Sequence, residues 1–249
     1  MPNIMLFLYR IYQFLVAAPI LLAATIITAL AIIVLSVLGM GRWAGNTIPA
    51  YWAKLFCMLT LVKVTVKGRQ NIKPGTSYVF VCNHQGAYDI FSVYGYLNHP
   101  FRWMMKASLG RIPLVGYSCK ISGHIMVDNS SPSATKRTMQ IAERQLRQGM
   151  SIVVFPEGAR TPDGIMHRFK RGAYLLAEEF GLPVVPITID GSYNVMPRFK
   201  MLPVPGQIRL TIHKPIHAVE GRHNIAEVIK ESYKAIQEAL PEQNLQNEA

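Results

Sequence analysis

The most pronounced feature of the hydropathy pattern is a long apolar run near the N-terminus. No charged residue occurs between Arg10 and Arg42, and Phe14 to Met40 is a stretch of 27 mostly apolar residues. As one helix it would be about 40 Å long, more than the ~30 Å hydrocarbon core of a bilayer. The run therefore predicts a membrane anchor, either as one tilted helix or as a helix pair that enters and leaves the same leaflet. It is too long for a typical signal peptide.

A second amphipathic pattern covers residues 47–62, with Trp52, Phe56 and Leu59 on its apolar side. It predicts either a helix in the membrane interface or the first helix of the globular core, and both interpretations stay open. Aromatic residues, which are enriched at the headgroup depth of membranes, flank the anchor. They are Tyr9, Tyr12, Trp43, Tyr51 and Trp52. Positive charges follow it: Lys54, Lys63, Lys67 and Arg69. This excess predicts that the rest of the chain faces the cytoplasm.

After residue 61 the pattern alternates between short apolar or alternating stretches and helical ones. The predicted strands are 62–68, 77–81, 101–105, 124–128, 150–155, 182–189 and 207–213. The predicted helices are 89–97, about 130–148, 172–180 and 225–240. This order predicts an α/β fold with a mixed, mostly parallel sheet flanked by helices. The expected organisation is a membrane-anchoring segment at 1–61, one α/β domain at 62–241 and a polar tail at 242–249.

Composition narrows the choice of partner. The chain has 249 residues with 26 Lys and Arg against 14 Asp and Glu, a net charge of +12, which suits an anionic partner. A mean hydropathy of +0.20 favours a membrane surface over nucleic acid. The three cysteines, Cys57, Cys82 and Cys119, form no C-x-x-C motif. They favour a reducing compartment over a disulfide framework or a zinc ribbon.

The stretch NHQGAYD follows a predicted buried strand, where ligands bind in α/β sheets. His84 lies in the turn, and Asp89 lies five residues further on, near the first turn of the next helix. A carboxylate on one imidazole nitrogen leaves the other nitrogen free to accept a proton. The alternative to such a pair is a turn histidine that happens to lie beside a helix-capping aspartate. Cys82 is either a thiol nucleophile or a buried filler of the core.

A second polar turn, FPEGART, follows another buried strand. Gly158 lets a ligand approach the backbone, and Arg160 carries a guanidinium that fits phosphate. A surface turn with a pair between Glu157 and Arg160 is the alternative.

Two further groups of cations lie in apolar surroundings. Lys106 and Arg111 occur within MMKASLGRIPLVG, and a basic cluster precedes the helix at 172–180: His167, Arg168, Lys170 and Arg171. Cations at a helix N-terminus are repelled by the positive end of the helix dipole, so a bound anion would offset this unfavourable electrostatic energy. Snorkelling side chains and a solvated basic face are the alternatives.

In combination these motifs resemble those of the glycerolipid acyltransferase family, within it the 1-acylglycerol-3-phosphate (lysophosphatidic acid) acyltransferases. The resemblance covers about residues 62–213. The matching positions are Asn83, His84 and Asp89, Lys106, the stretch FPEGART, Lys170 with Gly172, and Val185, Pro186 and Ile187. Two positions depart from the family pattern. Asn129 stands where many members have an arginine, and Ala159 stands where threonine is usual.

The resemblance implies the chemistry. His84 would deprotonate the 2-hydroxyl of lysophosphatidic acid and Asp89 would orient His84, so that the alkoxide attacks the thioester of acyl-CoA or acyl carrier protein. The product would be phosphatidic acid. Substrate-binding residues would be Asn83, Lys106, Glu157, Gly158, Arg160 and Lys170. No metal or other cofactor and no nucleic acid is expected. The membrane would be the inner or cell membrane, on its cytoplasmic face, or the endoplasmic reticulum in a eukaryote.

Three alternatives remain at this point. The acceptor could be another lysolipid, such as a lyso-ornithine lipid or lysophosphatidylinositol, because Asn129 departs from the motif. The chain could instead be a membrane-anchored module that binds anionic lipid. A metal hydrolase that uses His84, Asp89 and His124 is the third.

Overall fold

The computed structural model describes residues 3–128, 130–217 and 225–241. Asn129 and the predicted polar tail at 242–249 lie outside the described residues. The described chain forms one seven-stranded sheet with helices on both faces, preceded by a long N-terminal helix.

The N-terminal helix is interrupted once. α1 (Asn3–Tyr12) continues through a π turn (Gln13–Ala17) into α2 (Ala18–Val37). Pro19 lacks an N–H and cannot complete the regular ladder, which accounts for the local widening. Within the part of the chain that the structure describes, Asn3–Val37 is the helix long and apolar enough to cross a membrane. It begins well before the predicted start at Phe14, because α1 is also mostly apolar and Arg10 does not interrupt the helix.

α3 (Gly41–Leu59) folds back along α2 after a turn with Gly39 at a φ of 84°. The indole Nε1 of Trp52 donates to Thr25 Oγ1 on α2 at 3.0 Å. The apolar run thus lies mainly in one long helix, α1–α2, against which α3 packs, and the choice between a tilted span and a pair within one leaflet stays a prediction.

α3 also belongs to the core of the domain. Ala53 and Cys57 are completely buried, and the ring of Phe56 stacks on Phe91 with centroids 4.4 Å apart. Trp43 and Tyr51 remain exposed on its other side. The first-core-helix interpretation is thus confirmed, and the helix begins at Gly41 rather than at residue 47.

The sheet has the order β1-β7-β6-β2-β5-β3-β4. Its strands are β1 (Val62–Lys67), β2 (Val79–Cys82), β3 (Phe101–Lys106), β4 (Ile125–Val127), β5 (Ser151–Val154), β6 (Val184–Asp190) and β7 (Gly206–Ile212). β6, β2, β5, β3 and β4 are parallel, whereas β7 runs antiparallel to β6 and pairs in parallel with β1. The predicted mixed, mostly parallel sheet is confirmed.

The remaining helices cover both faces of this sheet. They are α4 (Tyr88–Tyr96), α5 (Val115–Ile121), α6 (Pro132–Arg147), α7 (Gly172–Glu179), α8 (Ser192–Val195) and α9 (Ile225–Glu238). Because side chains alternate along β2, Phe80 and Cys82 pack with α4 on one face, whereas Val79 and Val81 pack with α7 and α9 on the other. Ser131 caps α6, since its hydroxyl accepts from the amide of Ala134 at 3.1 Å.

The connections after β2 and β5 leave in opposite directions. β2 leads to α4 on one face, and its neighbour β5 leads to α7 on the other. A crevice opens at the carboxyl ends of adjacent strands where the connections diverge in this way, and open α/β sheets bind ligands there. The two polar turns NHQGAYD and FPEGART flank this point.

Candidate active site

His84 and Asp89 form a direct pair at this crevice. Nδ1 of His84 lies 2.7 Å from Oδ2 of Asp89. The Asp89 side chain is completely buried, and the His84 side chain is 12% exposed. Nε2 of His84 makes no hydrogen bond with any residue that the structure describes. The pair therefore has a buried carboxylate on one ring nitrogen and leaves the other nitrogen able to accept a proton.

The chain just before α4 places Asp89 for this role. Oδ2 of Asp89 also accepts from the amides of Gln85 at 2.8 Å and Gly86 at 3.0 Å. Three N–H groups thus converge on one carboxylate oxygen, and Asp89 lies in the first turn of α4, where the helix dipole favours a negative charge. These contacts hold the carboxylate in a fixed position under the imidazole.

An aromatic stack fixes the plane of the imidazole. The ring of Phe155, at the end of β5, lies parallel to that of His84 with centroids 3.9 Å apart and an interplanar angle of 9°. Trp103 stacks on the far side of Phe155 at 5.1 Å. Sequence reasoning gave Phe155 no role of its own, because a phenylalanine at a strand end is compatible with ordinary core packing.

Glu157 joins the two polar turns. Its carboxylate accepts from the amide of His84 at 2.7 Å and from the amide of His167 at 2.9 Å. Burial raises the pKa of Glu157 to about 8, and the two amide bonds act in the opposite direction. The resemblance implies a substrate-binding role for Glu157, and in the structure its carboxylate accepts from two backbone amides. Its observed contacts position the histidine and the basic segment relative to each other.

The turn after β5 brings cations next to the histidine. Gly158 has a φ of 82°, and the ammonium group of Lys170 lies directly against the position that a Cβ would occupy there. The amide of Thr161 donates to the carbonyl of His84 at 3.0 Å, which places the neighbouring Arg160 beside the pair. Arg160 is partly buried, and its carbonyl accepts from Arg198 Nη1 at 3.0 Å. This side of the crevice is therefore positively charged.

Two predicted substrate-binding residues lie further from the crevice. Asn83 is completely buried, and its amide group exchanges two hydrogen bonds with the backbone of Ile189, at 2.9 and 2.7 Å. It extends the pairing of β2 with β6 beneath the site. Lys106 is exposed at the carboxyl end of β3, two strands from β2 and thus about 10 Å across the sheet.

His124 and Cys82 are engaged elsewhere. His124 Nδ1 accepts from the amide of Trp103 at 3.1 Å, and Nε2 lies 2.6 Å from the hydroxyl of Tyr94. Burial, with a contribution from Arg102, lowers the pKa of His124 to about 3. Both ring nitrogens are therefore occupied in a neutral core histidine that cannot join His84 and Asp89 around a metal. Burial raises the pKa of the Cys82 thiol, which packs in the core and is a poor nucleophile.

Comparison with known proteins places this site in a family. The model of the Acyltransferase family matches residues 63–190. A Chlamydomonas reinhardtii protein named 1-acyl-sn-glycerol-3-phosphate acyltransferase is 31% identical over 96% of this chain and 72% of its own length. A Pseudomonas aeruginosa protein of that name is 31% identical over 77% of this chain and 76% of its own.

Two further matches extend the comparison. A chloroplastic Arabidopsis thaliana protein of the same name is 32% identical over 70% of this chain, and the match spans about half, 52%, of that longer protein. The crystal structure of the Thermotoga maritima 1-acyl-sn-glycerophosphate acyltransferase PlsC superposes with a TM-score of 0.79 at 24% identity, covering 96% of this chain and 95% of that one. This likeness confirms the fold.

The fold and the site together define an α/β enzyme with a histidine–aspartate pair at the carboxyl edge of its sheet, beside an apolar N-terminal helix pair. The match over residues 63–190 makes the assignment specific: the chain belongs to the Acyltransferase family, and it is an O-acyltransferase.

Proposed function

We propose that the protein transfers a fatty acyl group from an acyl thioester to the 2-hydroxyl of 1-acylglycerol-3-phosphate at the cytoplasmic face of a membrane, and so forms phosphatidic acid. The observation that carries the proposal is the imidazole of His84, held by Asp89 on Nδ1 and free on Nε2, next to the cationic turn at Gly158–Arg160. The names of the relatives support the choice of acceptor.

In the proposed reaction one residue, His84, both removes the proton from the acceptor and returns it to the leaving group. Nε2 of His84 takes the proton from the acceptor hydroxyl as its oxygen attacks the thioester carbonyl. The tetrahedral intermediate collapses with cleavage of the C–S bond, and the thiolate takes the proton back from the imidazolium. Asp89 stabilises the imidazolium between these steps. No covalent acyl-enzyme is required, in agreement with the burial of Cys82.

Anion binding is distributed over two parts of the crevice. Arg160 and Lys170 lie on the side of His84, and Lys106 lies across the sheet edge. These cations suit the phosphate of the acceptor and the phosphates of a CoA or carrier-protein donor. The amide of Gly158 already donates to the carbonyl of Phe155, whereas Ala159 makes no hydrogen bond with the described residues and leaves its amide to bind an oxyanion.

The test is radiolabelled acyl transfer to a panel of lysolipids by the purified full chain in lipid vesicles. The panel contains lysophosphatidic acid, lyso-ornithine lipid and lysophosphatidylinositol, each with acyl-CoA and with acyl carrier protein as donors. We expect lysophosphatidic acid to be the preferred acceptor and activity to persist in a metal chelator. Preference for another lysolipid would refute lysophosphatidic acid as the acceptor. Loss of activity in the chelator would refute a reaction without metal.

Removal of the base is the second part of the test. His84→Ala is expected to lower kcat about 10³-fold, the middle of the range of about 10² to 10⁴ for a general base, without loss of the folded state. His217→Ala, which removes an exposed histidine, is the matched control and is expected to retain activity. Near-normal transfer by His84→Ala, or a stable acyl adduct on Cys82, would contradict the mechanism.

A further inference from the structure

The loop Met196–Pro203 carries the two most exposed large apolar side chains among the described residues. Phe199 is 77% exposed and Met201 is 88% exposed. The cations Arg198 and Lys200 stand on either side of Phe199, and both are exposed. Apolar tips between basic residues are typical of segments that lie in the interface of an anionic membrane.

This loop has a defined conformation. Its neck is closed by the amide of Val204, which donates to the carbonyl of Val195 at 3.0 Å. Its tip is a turn in which the amide of Lys200 donates to the carbonyl of Pro197 at 3.2 Å. A loop with joined ends and a turn at its tip is a compact Ω-loop, so the exposure of Phe199 and Met201 is built into the fold.

The loop is joined to the N-terminal helix on one side. Arg10 Nη1 and Gln13 Nε2 both donate to the carbonyl of Pro203, at 2.9 and 3.0 Å. Gln13 is only 4% exposed, whereas Phe7 and Phe14 on the other side of the same helix are 64% and 60% exposed. The loop is thus fixed to the helix that carries these exposed apolar residues.

On its other side the loop contacts both catalytic turns. The carbonyl of Met196 accepts from the amide of Ala87 at 3.0 Å, and Pro197 forms a β-bridge with Gly86. Arg198 donates to the carbonyl of Arg160 at 3.0 Å. The depth of the loop tip therefore sets the depth of the His84 and Arg160 turns.

We propose that the loop Met196–Pro203 is a second membrane contact, which inserts Phe199 and Met201 at the headgroup boundary of an anionic bilayer and holds the catalytic turns at that depth. The occupant is a lipid surface because the two side chains protrude from a convex tip. A bilayer adapts to a protruding side chain, whereas a folded protein would need a matching cavity. The proposal rests on the membrane anchor of the proposed function but not on the identity of the acceptor.

The first experiment measures depth. The full chain carries Cys119→Ser, which removes the native thiol that is not buried, and Phe199→Cys labelled with the fluorophore NBD. It is bound to phosphatidylcholine vesicles with about one third phosphatidylglycerol, an anionic surface. We expect a blue-shifted emission and strong quenching by lipids with a spin label near the headgroup. The same label at Ile141→Cys, an exposed position on α6, is the control and should remain in water.

The outcomes are distinct. The proposal is overturned if the label at residue 199 has the same emission and quenching as the label at residue 141. It is also overturned if the emission at residue 199 responds to acyl carrier protein but not to vesicles. Because this readout needs no acyl transfer, a failure of the proposed function would leave it interpretable.

The second experiment measures the consequence for the reaction. The double variant Phe199→Ser, Met201→Ser is expected to acylate vesicle-borne lysophosphatidic acid about tenfold more slowly, the effect of losing two interfacial apolar anchors. Ile141→Ser is the matched control and should change the rate less than about twofold. Insertion at residue 199 with an unchanged rate of the double variant would refute the positioning of the catalytic turns.

Discussion

At the residue scale, the proposed mechanism uses one carboxylate both to orient the histidine and to stabilise its charge, and the two roles can be separated by mutation. The Nδ1 atom of His84 and the amides of Gln85 and Gly86 all reach the same oxygen of Asp89. The other oxygen, Oδ1, is buried and has no hydrogen-bond partner among the described residues. An amide could therefore replace the carboxylate without loss of an existing hydrogen bond.

Asp89→Asn is expected to keep the orientation of His84 and remove the negative charge. Its Oδ1 can accept all three N–H groups, so the fold should remain intact while kcat falls about 10²- to 10³-fold, because the imidazolium loses its counter-charge. Steady-state kinetics with a thermal unfolding scan test this. Asp89→Ala, which also removes the acceptor, is the comparison and should lower the unfolding temperature. An Asp89→Asn variant with wild-type kcat would show that orientation alone suffices.

Glu157 predicts a pH dependence of stability. Its pKa is raised from 4.5 in the unfolded chain to about 8 in the folded protein. The folded state therefore holds a proton that the unfolded state releases, and this contribution is full below about pH 4.5 and lost as the pH rises through 8. In detergent, the melting temperature of the wild type relative to that of Glu157→Gln should fall as the pH is raised from 5 to 8. The glutamine variant is the reference because its side chain does not titrate.

The control for this prediction is Glu179→Gln, which removes an exposed glutamate at the end of α7. Its melting temperature should follow that of the wild type at every pH. A constant difference between the wild type and Glu157→Gln from pH 5 to 9 would mean that the pKa of Glu157 is not raised in the folded protein.

At the element scale, the sequence predicted the seven strands and the four longer helices after residue 61 to within a few residues. It succeeded because a buried parallel strand such as Val79–Cys82 is continuously apolar and α6 has explicit capping residues. It did not predict α5 and α8, which have seven and four residues and too few turns for a periodic pattern. The spacing of His84 and Asp89 left two interpretations open, and the family resemblance favoured the pair, whereas the stack with Phe155 and the amide contacts of Glu157 depend on strand order.

The anchor is linked to the catalytic helix through one buried threonine. Thr60 is 3% exposed, its carbonyl accepts from the hydroxyl of Tyr9 on α1 at 2.8 Å, and its Oγ1 accepts from the hydroxyl of Tyr88 at 2.8 Å. Tyr88 is the first residue of α4 and precedes Asp89. The position of α4 therefore depends on a contact that lies between the anchor and the sheet.

Thr60→Val is expected to destabilise the protein by about 2 kcal/mol, because the shape is kept while the Tyr88 hydroxyl loses its buried partner. For a chain of this size the melting temperature should fall by about 4–8 °C, measured by circular dichroism in detergent. Thr60→Ser retains the hydroxyl and is the matched control. If the melting temperature of Thr60→Val equals that of the wild type, the hydrogen bond from Tyr88 does not contribute to stability.

At the scale of the whole molecule, the distribution of charge and apolar surface suits the anionic lipid of the proposed function. The chain carries a net charge of +12, and several exposed basic residues lie at or after the carboxyl ends of the strands, whereas the side chains of Asp89 and Glu157 are buried. These exposed cations include Lys106, Arg168, Lys170, Arg171, Arg198 and Lys200. Attraction between exposed charges is weakened by salt, since the Debye length falls from about 10 Å at 0.1 M to about 3 Å at 1 M.

Salt should therefore act on capture of the acceptor more than on the chemical step. With neutral vesicles at a fixed surface concentration of lysophosphatidic acid, raising NaCl about tenfold from low ionic strength should raise KM severalfold, because screening weakens the exposed cations. The kcat should change much less, because the His84–Asp89 pair is largely shielded from solvent. Lys170→Gln should raise KM at low salt and reduce its salt dependence, whereas Lys230→Gln on α9 should do neither. An equal effect of the two lysine variants would show that the net charge, rather than the cation held against Gly158, recruits the acceptor.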